Sequence, residues 1–213
     1  VVELNFARGR LQIERTDQEP VSLLLKDFES SIALAPGQPV EIEAEIDTLL
    51  TASFPYLSLP PGVPVDFSGS AEYLSHEGSL KNAAFHLGLP GIADIRASGS
   101  IMNLKNNPAP NLAFTAQLPE IQPLLEYIEA LKRPQYESMK TEGTAYIEGN
   151  ITGNMEKPKV SLKADANIDS ARWKNYSLHN MKATLPAVIT PERTELDAGA
   201  LHAEKFVVPA GRQ

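Results

Sequence analysis

The chain has 213 residues, 42% hydrophobic and 22% charged, enough to bury a sizeable core as one large domain or two modest ones. A net charge of −8, with only 19 Lys and Arg and no basic cluster longer than Lys132-Arg133, leaves nothing to neutralise a row of phosphates and argues against a nucleic-acid partner. Cysteine is absent, which excludes disulfides and thiolate metal or redox sites.

Period-2 alternation dominates. Strand-like runs are expected at about 2–7, 10–15 and 21–34, and the first very regular one follows at 40–47. There Val40, Ile42, Ala44 and Ile46 alternate with Glu41, Glu43, Glu45 and Asp47. A dry face backed by a charged wet face is the mark of an antiparallel sheet covered on one side, since a parallel sheet between helices reads as continuous Val, Ile and Leu. A short helical turn is expected after Asp47, at Leu49 and Leu50. The proline-rich segment 54–64 is the best break between units, giving possible subunits 1–60 and 61–213 within one β-rich region spanning 1–213. Further strands are expected at 65–74, 79–89, 92–104, 111–118 and 142–151.

One segment changes period: Ile121, Leu124, Leu125, Ile128 and Leu131 repeat at helical spacing between Pro119 and Pro134. This predicts an amphipathic helix over 119–132 lying on the sheet. The second very regular strand is 159–168, where Val160, Leu162, Ala164, Ala166 and Ile168 alternate with polar residues. Strands at 172–185 and 194–208 complete the chain. The fold class is therefore mostly β: a long curved antiparallel sheet with internal repeats and one short helix.

Three repeats support a modular sheet. Residues 99–118 align without a gap on 149–168, pairing Gly99 with Gly149, Ile101 with Ile151, Pro108 with Pro158 and Leu112 with Leu162. A Leu-x-Asn/Asp-apolar pattern recurs at Leu25–Phe28, Leu80–Ala83 and Leu178–Met181, and FSGSAEY at 67–73 resembles TEGTAY at 141–146. Glycine inside a strand permits a bulge, and proline in the turn harms no ladder.

Catalytic chemistry finds no residues to stand on. His76, His86, His179 and His202 lack ligand spacing, and no nucleophile elbow, phosphate loop or calcium loop occurs, so neither an enzyme nor a cofactor is expected. Like-facing carboxylates of the 41–47 row stand about 6.5–7 Å apart, too far for one small cation. With one Trp and 7% aromatics, a carbohydrate-binding sandwich is the weakest reading.

Residues 40–185 carry a resemblance. Gly149-x-Ile151-x-Gly153 leads into Lys157-Pro158 and an alternating strand, then into Tyr176-x-Leu178-x-Asn180-Met181, with the Ile121/Leu124/Leu125 connector upstream. These pieces resemble the AsmA-like and TamB-like proteins of the Gram-negative envelope. The resemblance implies that the sheet is folded over as a periplasmic β-groove, anchored to the inner membrane through a segment outside this sequence. It also implies phospholipid as ligand, transferred toward the outer membrane, or outer-membrane proteins as partners.

The groove residues would be Ile42, Ala44, Ile46, Val160, Leu162, Ala164, Ala166 and Ile168. On the residues alone, the same dry face reads more readily as a filled sandwich core. Small residues there (Ala44, Ala71, Ala116, Ala164, Ala166) and the repeats favour an opening, as does the resemblance. The alternative function is a scaffold that assists outer-membrane protein assembly by pairing strand edges with partners.

Overall fold

The structure is a computed structural model that describes residues 2–15, 21–34, 40–53, 63–127, 138–154 and 156–207. Its elements, in order, are β1 (Val2–Arg15), β2 (Val21–Leu34), β3 (Val40–Ser53), β4 (Val63–Leu74), β5 (Ser79–Leu89), β6 (Ala93–Met102) and β7 (Ala109–Leu118). Then come helix α1 (Ile121–Tyr127), β8 (Lys140–Gly153), β9 (Pro158–Trp173), β10 (Tyr176–Ile189), β11 (Thr194–Leu196) and β12 (Ala200–Val207). The strands form one antiparallel sheet in chain order, and β11 and β12 share the far side of β10. Neighbours in the chain are neighbours in the sheet from β1 to β10, across short turns at β4–β5, β5–β6 and β9–β10 and across the longer segment that carries α1 between β7 and β8.

The sheet runs unbroken through β3 and β4, which pair from Val40↔Tyr73 to Leu50↔Val63. The helical turn expected after Asp47 is thus a strand. Two adjacent leucines interrupt the alternation, but Leu49 and Leu50 face Pro64 and Val63 in the ladder, and ladder pairing decides the conformation. Residues 54–62 lie outside the described residues. The expected 172–185 strand is cut by a turn at Lys174–Asn175, which splits it between β9 and β10, and 194–208 divides into β11 and β12.

Of the predicted 119–132 helix, 121–127 is α1. Ile121, Leu124 and Leu125 are half-buried in it, whereas Ile128 and Leu131 lie outside the described residues. The helix contacts β8, and the Gln122 side-chain oxygen accepts the Thr141 backbone N–H at 2.7 Å.

The offset-50 repeat is a repeat of register. In the β6–β7 hairpin Ile95, Gly99 and Ile101 face Ala116, Leu112 and Pro110; in the β8–β9 hairpin Ala145, Gly149 and Ile151 face Ala166, Leu162 and Val160. Each pair in the second hairpin is the first hairpin's pair moved by 50 at both ends. The turns differ: the Asn106 N–H donates to the Asn103 carbonyl at 3.2 Å, whereas the Lys157 N–H donates to that of Asn154 at 3.1 Å, an offset of 51. A Cβ on Gly99 would collide with the Asn111 carbonyl, and one on Gly149 with the equivalent Ser161 carbonyl, so both strands need glycine for the same close approach.

The Leu-x-Asn/Asp pattern marks irregularities in the ladder. Asp27 is the extra residue where Gly9↔Phe28 gives way to Arg10↔Lys26, and Asn82 lies in the shift between Leu80↔Ile101 and Ala83↔Gly99. Asn82 and Asn180 take left-handed φ values of 48° and 51°, which Asn tolerates through its short polar side chain. Each bulge adds local twist and bends the strand, which curves the sheet.

Candidate functional site

Residues directly opposite in an antiparallel ladder share a face, so the registers trace each face across the sheet. From Ile46 the row runs to Phe67, Leu87, Ile95, Ala116, Ile147 and Ala164. From Ala44 a parallel row passes through Gly69, Phe85, Ala97, Phe114 and Gly149 to Leu162. The two groups of candidate groove residues, on β3 and β9, thus lie on one continuous apolar face. They are not brought together: six strand spacings separate them, about 29 Å.

On β9, Val160, Leu162, Ala164, Ala166 and Ile168 are all half-buried, as are Ile42 and Ala44 on β3; the Ile46 side chain lies outside the described part. No large side chain among the described residues is fully buried. Cover varies along the face. At β4–β6 a cluster of Val63, Val65 and Ile92 is packed with Phe67, Leu87, Leu89 and Ala93, and Val65 is only 3% exposed. Ile92 comes from the turn between β5 and β6 and closes that end. Leu112, Ala116 and Leu118 on β7 are also buried, whereas Leu185, Ile189 and Leu201, opposite Ala164, Val160 and Ala183, are exposed.

A cleft of about 620 Å3 lies near the Pro90–Gly91 turn and Pro119, where polar residues of the other face meet Leu89, Ala93, Leu118 and Ala145. His86, Asp94, Gln117, Tyr146, Asp165 and Asn167 line it, drawn from five strands. His86 Nε2 lies 2.8 Å from Asp94 Oδ2, and Arg96 Nε donates to Asp94 Oδ1 at 3.1 Å. The His86 hydrogen bond, reinforced by the Arg96 charge, holds the Asp94 carboxyl below the usual aspartate range against the opposing effect of desolvation. Asp165 is lowered by hydrogen bonds from Lys163, at 2.7 Å, and from Thr184 Oγ1.

Sequence reading placed His86 among the unremarkable histidines. Only the ladder brings it beside Asp94, across the β5–β6 hairpin, so no local motif announces the pair. His179 faces Ser170 and Lys205 in the ladder, and His76 lies 3.5 Å from Glu77 in a turn. Among the described residues no three His, Asp or Glu side chains converge on a metal position, and Glu41 and Glu43 of the acidic row are exposed. No helix among them is long and apolar enough to cross a membrane. Compared with known protein families, curated proteins and solved structures, the chain matches none of them.

Proposed function

We propose that this chain is a β-groove module that holds lipid acyl chains against its apolar face, and so contributes to phospholipid transfer between the inner and outer membranes and to outer-membrane biogenesis. The observation that carries the reading is the pair of uninterrupted apolar rows from β3 to β9, only half-buried where they cross β9. Apolar surface left in water is a standing source of binding free energy, about 25 cal/mol per Å2 covered, and an acyl chain is a flexible apolar rod that fits a strip of any length. The resemblance to AsmA-like proteins supplies the lipid class, the periplasmic location and the inner-membrane anchor. Binding without catalysis is the mode we infer.

Native mass spectrometry of the purified chain tests the reading, together with transfer of a fluorescent phospholipid between two vesicle populations. Co-purifying phospholipid and accelerated transfer are expected. Transfer no faster than without protein, and no bound lipid, would overturn it.

A second reading is a scaffold that assists outer-membrane protein assembly by strand pairing. It is favoured by β1, a 14-residue edge strand that pairs with β2 alone among the described residues. Binding to an outer-membrane barrel protein at full strength in delipidated protein would select it over the first.

A further inference from the structure

The longest strand, β9, and its neighbour β10 meet at a turn formed by Lys174 and Asn175, with Lys174 in the left-handed region at φ 56°. The closing pair is Trp173↔Tyr176. Their rings stack with centroids 6.2 Å apart, and Lys174 Nζ lies 5.0 Å from the centre of the Trp173 ring. The one tryptophan of the chain is therefore at a hairpin tip, 37% exposed, beside a tyrosine that is 40% exposed.

The charge around this tip runs against that of the rest of the molecule. From Ser170 to Pro191 there is no Asp or Glu, but there are Arg172, Lys174 and Lys182, in a chain of net charge −8. Across the ladder, Lys140 of β8 faces Arg172. Glu142 accepts a bond from Ser170 at 2.9 Å and Glu204 one from Asn180 at 2.7 Å.

Indole and phenol rings have an apolar body and a polar edge, which suits them to the headgroup layer of a bilayer better than to water or to a dry core. Each Lys or Arg held near an anionic lipid surface strengthens binding about five-fold. The acidic remainder of the chain is repelled by that surface, so the tip is the part that approaches. We propose that the β9–β10 hairpin tip docks on the surface of an anionic phospholipid bilayer, with Trp173 and Tyr176 at headgroup depth and Arg172, Lys174 and Lys140 against the phosphates. From the tip, the pairs Ala171↔Leu178 and Ile168↔Met181 lead along β9 and β10 to the apolar rows, so docking brings one end of the apolar face to the membrane.

Because Trp173 is the only tryptophan, its emission reports on the tip alone. The full chain is mixed with phosphatidylcholine vesicles, and separately with vesicles in which a third of the lipid is phosphatidylglycerol. A blue shift and co-flotation are expected with the anionic vesicles and not with the neutral ones, weakening as salt is raised. The double substitution Arg172→Gln/Lys174→Gln, at exposed positions, should lower the affinity about 25-fold with unchanged circular dichroism.

An unshifted emission on anionic vesicles means that the aromatic pair merely clasps the hairpin, and overturns the proposal. Flotation that survives the double substitution overturns it as well. The acyl-chain reading stands or falls separately: flotation without lipid transfer defeats that reading alone, and transfer without flotation or emission shift defeats docking alone.

Discussion

The apolar face at β4–β6 and the same face at β10–β12 are built from one pattern, yet Val65 is 3% exposed and Leu201 is 72% exposed. Alternation is as good in one as in the other, and the ladders join them in register. The difference lies in the connections. The β5–β6 turn contributes Ile92, which is buried against Val63 and Val65, whereas the β10–β11 turn is Thr190-Pro191-Glu192-Arg193 and contributes nothing apolar. Strands decide which residues share a face, and turns decide whether that face becomes core or surface.

The most damaging test of this contrast is Ile92→Ala. Removing the cap should cost about 3 kcal/mol, read from urea unfolding, because four partly buried neighbours lose their cover with it. In the exposed half, Leu201→Ala should change stability by less than about 0.5 kcal/mol. Equal costs at the two positions would show that the halves do not differ in cover.

A smaller effect is expected at the repeat glycines. Gly99→Ala and Gly149→Ala should each cost about 2 kcal/mol, since both force a Cβ against an equivalent carbonyl, and Gly99 also has a φ of 147° that other residues rarely adopt. One glycine lies opposite β5 and the other opposite β9, so similar losses would place the strain in the repeat and not in the cover.

Acid should have the least effect and should not discriminate between the halves. Asp94, held low first by His86, and Asp165, held low first by Lys163, are depressed carboxylates on the polar face. A depressed carboxylate contributes stability above its unfolded value and loses it as pH falls through the folded one. The urea midpoint should therefore hold above the ordinary aspartate value of 3.8 and decline below it, and Asp94→Asn should reduce that decline. The change is small because both pairs are largely solvated.

Strand positions and faces were legible in the sequence because apolar and polar residues alternate along the strands, and Val160 to Ile168 alternates without a fault. The offset of 50 was legible as well, and it proved to be a register. What local pattern hides is cover and convergence. Ile92 is a lone apolar residue beside Pro90 and Gly91, the ordinary look of a loop. The pair Leu49-Leu50 looks helical for want of the Val63 that faces Leu50. His86, Tyr146 and Asp165 meet around one cleft from strands 60 to 80 residues apart in the chain at the extremes, and only the ladder collects them. The Leu-x-Asn motif was visible, but its left-handed backbone at Asn82 and Asn180 was not.

The hairpins that repeat at 50 residues have a consequence for size. Because β6–β7 and β8–β9 share their register, removing or adding one such hairpin would keep apolar residues on the apolar face, slide each row by two residues, and alter the breadth of the face by two strand spacings or about 10 Å. The sheet is thus a ruler graduated in hairpins, along which length can change while each side chain keeps its face.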